Sequence, residues 1–202
     1  MSKPIILENG NIYFDDRKDF SPNLTPEQIL RLGSFGGTYF RDLKPEETID
    51  NKEYIDIWKE LPLEWIKDLD IKTQISSQKY LKKTNKYNIK CGSSLEDWNT
   101  SGWIKDIDPY GWFQWYCRFY QGRRCYDDDR QIKRFNNCSG VKGRWRNTLC
   151  KKISDKIINL DNNEEIINKL NDFTISPGIR QTLQHWGYIL TKEDFVYYLN
   201  KN

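Results

Sequence analysis

The sequence has few of the residues from which metal sites and well-known catalytic sites are built. It contains a single histidine, His185, and its five cysteines never form a C-x-x-C pair. Its glycines form neither a G-x-G-x-x-G fingerprint nor a Walker motif. These absences exclude a standard zinc finger and weaken the case for a dinucleotide or P-loop site. We expect no bound metal and no cofactor, although Cys125, Cys138, Cys150 and His185 could in principle hold zinc.

The sequence also lacks the features of an exported or membrane-bound protein. It begins with the polar stretch Met1-Ser-Lys-Pro, which is unlike a signal peptide. No apolar run approaches the roughly 20 residues that span a bilayer. The cysteines are odd in number, which favours reduced thiols. We expect an intracellular protein, in the cytoplasm, the nucleus or the interior of a virion, without a membrane partner.

Aromatic residues are abundant, and they predict the centre of the fold. Asp108-Pro109 is a helix start and Gly122 a helix stop, so the spacing predicts a helix from Pro109 to Gln121. Most positions of this helix are aromatic on two neighbouring faces, which is typical of a helix buried on several sides. Four rings share one face: Trp112, Trp115, Tyr116 and Phe119.

One narrow stripe of the predicted helix is polar. Gln114, Arg118 and Gln121 are spaced to lie above one another. A guanidinium among aromatic rings needs a partner. Arg118 therefore either pairs with a carboxylate such as one of Asp127–Asp129, or it lines a groove, with Gln114 and Gln121, that is open to an anionic ligand.

The rest of the chain predicts one mainly α domain over residues 1–202, with a small β element near the N-terminus. Residues 1–20 form a hairpin or an arm, and residues 35–41 run into a short strand. Capping signals predict a helix from Thr25 and a helical hairpin over residues 176–200. The three aspartates favour a helix over about 128–136, and a basic helix follows the loop that ends at Gly143. The adjacent Gly36 and Gly37 allow close approach of a packed ring or of a phosphate.

Positive charge is concentrated rather than spread evenly. The whole chain carries a net charge of only +3, but residues 108–150 contain nine bases and four acids, a net charge of +5. Basic residues interleaved with aromatics favour contact with nucleic acid. We expect a nucleic-acid-binding protein that contacts phosphates through a basic face, at about residues 118–152. The candidate contacts are Arg118, Arg123, Arg124, Arg130, Lys133, Arg134, Arg144 and Arg146.

Two other functions stay open. An enzyme acting on a nucleotide or nucleic acid would use Asp127, Asp128 and Asp129, with Mg²⁺ as cofactor, or His185 as a general base. Adjacent carboxylates at a helix start are more often a solvated cap, and a histidine beside a tryptophan is more often structural. A structural or adaptor protein would instead present the basic face to an acidic partner protein.

Four segments carry a resemblance to a known family. They are Ser34–Arg41, Asp108–Arg124, Arg130–Arg134 and Arg180–Tyr188. These segments resemble those of a family of uncharacterised proteins found in fungi, plants and large DNA viruses, and the resemblance covers most of residues 20–195. It implies no catalytic residue, because no activity is established for that family.

Overall fold

The computed structural model describes residues 4–160 and 162–201, and this part of the chain is mainly helical. A two-stranded antiparallel sheet comprises β1 (Ile5–Ile6) and β2 (Ile12–Tyr13). The α-helices are α1 (Pro26–Arg31), α2 (Leu63–Ile66), α3 (Leu95–Thr100), α4 (Trp112–Tyr120), α5 (Asp128–Ser139), α6 (Arg144–Ser154), α7 (Asn163–Asn171), α8 (Pro177–His185) and α9 (Lys192–Lys201). Short 3₁₀ turns span Phe35–Gly37, Pro45–Glu47, Ile57–Glu60 and Lys82–Thr84, and a π turn spans Ile71–Ile75.

The N-terminal segment forms a hairpin and also contributes a buried side chain, Phe20, to the core. Ile5 pairs with Tyr13 and Ile6 with Ile12, as the predicted hairpin requires. The chain then inserts Phe20 into the centre of the protein. The Phe20 ring lies 5.0–6.2 Å, between centroids, from rings of α4 and from Phe135 of α5. These edge-to-face contacts tie the hairpin to the predicted aromatic core.

The central helix α4 is buried as predicted, but it begins later than predicted. Its first residue is Trp112, because Gly111 has φ 82° and is not helical. Asp108 does not cap it. Instead the hydroxyl of Tyr39 accepts hydrogen bonds from the backbone N–H groups of Phe113, at 2.8 Å, and Gln114, at 3.2 Å. The same hydroxyl donates to the carbonyl of Tyr110 at 2.5 Å. A side chain distant in sequence therefore satisfies the helix N-terminus.

The strand predicted at residues 35–41 is wrong, because this segment forms the 3₁₀ turn at Phe35–Gly37 and irregular backbone. Gly36 and Gly37 have φ of 58° and 74°. A Cβ on Gly36 would lie 2.5 Å from the Tyr80 ring, and one on Gly37 would lie 2.0 Å from the Thr73 carbonyl oxygen. The glycines are thus packed against a ring and against backbone, and the space that a phosphate would need is filled.

Three of the later helices start at or next to the positions that the sequence predicts. Helix α5 begins at Asp128, α6 at Arg144 and α8 at Pro177. Helix α6 packs against α5, α8 and α9, so both helices of the predicted C-terminal hairpin lie on it. Buried apolar side chains from these helices and from α4 form one continuous cluster. The chain reversal after α8 is fixed by Gly187, whose carbonyl accepts from the N–H groups of Asn23 and Leu24, both at 3.0 Å.

We predict that Tyr39→Phe destabilises the protein by at least about 3 kcal/mol. The substitution removes one hydroxyl and leaves two buried N–H groups and one buried carbonyl without that partner, and each unsatisfied buried group costs about 1–3 kcal/mol. Urea unfolding, followed by tryptophan fluorescence, measures the loss as a lower midpoint with an unchanged slope.

The matched control is Tyr13→Phe, which deletes a hydroxyl whose contact with Asp15 is exposed and 3.4 Å long. We expect this control to change the unfolding free energy by less than about 0.5 kcal/mol. Equal effects of the two substitutions would show that Tyr39 does not cap α4.

Candidate ligand-binding cleft

Most side chains of the predicted basic face form ion pairs with carboxylates of the same protein. Five of the eight candidate arginine and lysine side chains form ion pairs with carboxylates of this chain. These pairs are Arg118 with Glu60 and Asp108, Arg123 with Asp108, Arg124 with Asp16, Arg130 with Asp127, and Arg146 with Asp194. A guanidinium already paired with a carboxylate offers less charge to an external phosphate.

Glu60 covers the polar stripe of α4 and accepts hydrogen bonds from it, so the stripe does not line a groove that is open to a ligand. Arg118 donates to both oxygens of Glu60 at 2.6–3.2 Å and to Asp108 at 2.9 Å. The partner predicted among Asp127–Asp129 is therefore wrong, although the prediction of a carboxylate partner is confirmed. Gln114 is fully buried and donates to Glu60 at 3.2 Å, while Gln121 donates to the Cys117 carbonyl.

The three adjacent aspartates point to different partners. Asp127 is 3% exposed and binds Arg130 and Gln131. Asp128 is 5% exposed and accepts from the Trp115 indole N–H at 2.9 Å. Only Asp129 is exposed. The expected solvated cap is therefore wrong for Asp127 and Asp128, because their oxygens satisfy buried donors.

Three of the eight candidate cations have no ion pair in the described chain: Lys133, Arg134 and Arg144. Lys133 is exposed on α5. Arg134 and Arg144 lie on the wall of a cleft with a volume of about 960 Å³. The cleft is enclosed by α3, α5, α6, α8 and the segment 78–94, and Trp98, Trp103, Trp145 and Trp186 are among its lining residues.

The Arg134 guanidinium lies close to two indole rings of this cleft. Its guanidinium carbon is 5.2 Å from the Trp103 ring centroid and 5.3 Å from that of Trp186. Its Nη1 donates to Gln131 at 3.1 Å, a neutral partner. Burial, with a smaller contribution from nearby Arg130, lowers the pKa of Arg134 to about 10. The guanidinium stays charged at neutral pH, and no ion pair with residues 4–160 or 162–201 neutralises that charge.

The charged residues that line the cleft are mainly positive. Four cations and one carboxylate line it, namely Arg41, Lys90, Arg134, Arg144 and Asp97. Arg41 pairs with Glu47 at 2.6 Å, and the Asp97 carboxylate accepts from the N–H of Ser94, the N-cap of α3, at 2.9 Å. Lys90 lies 5.4 Å above the Tyr80 ring, and Arg144 lies 4.7 Å from the Trp145 ring centroid. A ligand in this space would meet aromatic faces and uncompensated positive charge.

His185 lies in the deep part of the cleft, where it is 6% exposed. Its Nε2 accepts from the Phe35 N–H at 3.0 Å, so Nδ1 carries the proton and faces the Cys91 sulfur at 3.4 Å. Burial lowers the pKa of His185 to about 3 and raises that of Cys91 to about 11. Both groups are therefore neutral at pH 7, and the lone pair that a general base would use is already bonded.

Within residues 4–160 and 162–201, no three or more His, Cys, Asp or Glu side chains are grouped closely enough to hold a metal ion. In the same residues, none of the helices combines the length and the apolarity needed to cross a membrane. Comparison with family models, with curated proteins and with solved structures gives no match. The family resemblance of the four segments stays a prediction.

Several cleft residues were not among those singled out from the sequence. They include Lys90 and Cys91, and also Arg41, which lies at the end of the segment predicted to run into a short strand. The arginine–tryptophan neighbours Arg144-Trp145 and the pair His185-Trp186 were visible signals. Their spacing does not show that α6 and α8 meet.

We predict that the protein loses stability as the pH falls from 6.5 towards 4.5, in part because of His185. Its folded pKa lies below its unfolded value, so the unfolded chain binds the extra proton first and stability is lost in that window. At pH 5 this contribution is about 2 kcal/mol. Urea unfolding at a series of pH values measures it.

The comparison variant is His185→Gln, whose side-chain oxygen can still accept from the Phe35 N–H. We expect its unfolding free energy to fall less steeply than that of the wild type between pH 6.5 and 4.5. Parallel pH curves for the two proteins would mean that His185 is protonated in the folded state.

Proposed function

We propose that this protein binds nucleic acid, and that it does so by taking unpaired nucleotides into the cleft rather than by laying duplex on a broad basic face. The observation that carries this proposal is Arg134, a charged guanidinium that lies 5.2 Å and 5.3 Å from the ring centroids of Trp103 and Trp186 and has no ion-pair partner in the described chain. A second unpaired guanidinium, that of Arg144, lines the same cleft.

The electrostatics favour an anionic ligand. Taking a guanidinium out of water is costly, and in the described residues Gln131, the aromatic faces and the nearby charge of Asp127 offset only part of that cost for Arg134, whose pKa is lowered by burial. A phosphate group at hydrogen-bond distance would form a charge-assisted bond with the guanidinium. The approach of Lys90 and Arg144 to the same space adds to the attraction and makes binding sensitive to salt.

The aromatic lining favours bases that are not paired. Stacking of a base on an aromatic side chain contributes about 1–3 kcal/mol and tolerates any sequence. Trp103 is 43% exposed, so its indole is available to a ligand that enters the cleft. Bases inside a duplex are already stacked on their neighbours, and a cleft of about 960 Å³ has room for single nucleotides but not for a double helix.

We predict that Arg134→Met weakens binding of a fluorescein-labelled thymidine oligonucleotide at least tenfold at low salt. The substitution keeps a long side chain near the two indoles but removes the charge. Fluorescence anisotropy at several salt concentrations should also show a shallower dependence of log K on log salt, by about one unit if one phosphate contact is lost.

The matched control is Lys133→Met, which makes the same change of charge on the neighbouring, exposed position of α5. We expect a loss of less than threefold. If Lys133→Met weakens binding as much as Arg134→Met, phosphates are held by an outer face and not by the cleft. If the wild type does not bind the oligonucleotide at low salt, the proposal fails.

We predict that Trp103→Ala weakens oligonucleotide binding by about 1–3 kcal/mol, because one stacking surface is removed. Tyr126→Ala is the matched control, since Tyr126 is 71% exposed and does not line the cleft. Anisotropy titrations measure both. An equal loss in the two variants would show that exposed rings anywhere on the protein contribute, and it would contradict binding in the cleft.

A further inference from the structure

A second group of unpaired cations lies outside the cleft, between the segment before Lys90 and the start of α8. Arg180 is 5% exposed, and Lys86 faces it from the other segment. Neither side chain forms an ion pair in the described chain. The Phe173 ring centroid lies 5.7 Å from the Lys86 nitrogen and 5.4 Å from the Arg180 guanidinium carbon. Two like charges are thus held against one ring.

The direct contacts of these cations are with neutral or aromatic groups, although the Asp172 carboxylate is near enough for its charge to favour the charged form of Arg180. Arg180 donates to the backbone carbonyls of Ile175, at 2.9 Å, and Asp172, at 3.3 Å. The Asp172 carboxylate itself accepts from Thr174, at 3.0 Å from its N–H and 2.6 Å from its hydroxyl. The Lys86 nitrogen lies 5.5 Å from the Tyr87 ring centroid. Carbonyl oxygens and ring faces hold cations in place but do not neutralise them.

The proximity of the two cations costs free energy in the absence of an anion. Burial lowers the pKa of Lys86, and the nearby charge of Arg180 lowers it further. Burial also lowers the pKa of Arg180. An anion that bridged the two groups would remove both the repulsion and part of the desolvation cost.

We propose that Lys86 and Arg180 form a binding site for one phosphate group, either a free phosphate or a phosphate carried by a nucleic-acid strand. A tetrahedral oxyanion can accept from the guanidinium and from the ammonium group at once. Phe173, which is 49% exposed, keeps the site next to solvent. The site is separate from the proposed function of the cleft, because neither Lys86 nor Arg180 lines the cleft.

The test compares Lys86→Met with Lys83→Met, which makes the same change at an exposed lysine three residues earlier. Thermal unfolding is measured in sodium chloride and in sodium phosphate at equal ionic strength, and a thymidine oligonucleotide is titrated in a second arm. Lys86→Arg tests rescue of the charge. Because Lys86→Met relieves a repulsion, we expect it to unfold in chloride at a temperature no lower than that of the wild type.

If the site takes free phosphate, phosphate raises the unfolding temperature of the wild type, Lys83→Met and Lys86→Arg, but not that of Lys86→Met. If the site instead takes a phosphate of a nucleic-acid strand, the two variants respond alike to free phosphate. Lys86→Met then binds the oligonucleotide at least fivefold more weakly than Lys83→Met does. If neither probe distinguishes these two variants, the site does not exist. Arg134→Met should keep the phosphate response, so a failure of the cleft proposal is recognised separately.

Discussion

A helix that is buried on every side must find partners inside the protein for each of its polar groups, and this constraint shapes most of the structure. Helix α4 meets it with side chains from three distant segments. Tyr39 satisfies its first N–H groups, Glu60 binds Arg118, and Asp128 accepts from the Trp115 indole. Because each unsatisfied buried group costs about 1–3 kcal/mol, all three segments contribute to the stability of the buried helix.

Because of the same constraint, the net charge of a stretch of sequence does not predict the charge of the surface that it forms. Residues 108–150 carry a net charge of +5, yet most of the arginines there are bound to carboxylates, several of which come from other segments. Arg124 pairs with Asp16 of the N-terminal segment, and Arg146 pairs with Asp194 of α9. A guanidinium is well suited to such internal pairing, because its planar fork matches a carboxylate. In the described residues, four of the nine bases of this segment form no ion pair, and two of them, Arg134 and Arg144, line the cleft.

The sequence predicts local structure well, but it predicts poorly which side chains from distant segments contact each other. Capping residues and apolar spacing predicted the hairpin, the buried central helix and the starts of α5, α6 and α8, because those signals act within a few residues. The start of α4 was missed because its cap is a tyrosine hydroxyl more than 70 residues away. The cleft was missed for the same reason. Arg134, Trp103 and Trp186 belong to three segments, and the spacing of residues along the chain does not predict that these segments pack together.

The distribution of polarity within the cleft bears on how a ligand would lie in it. The deep lining residues are buried and uncharged, including Tyr110, Trp112 and the neutral His185. The exposed lining residues include the cations Lys90 and Arg144, and Arg134 lies between the two zones. A ligand that is planar and weakly polar at one end and anionic at the other would therefore enter with its planar end first. A nucleotide has this form: its base would displace water from apolar walls while its phosphate kept contact with the cations near solvent.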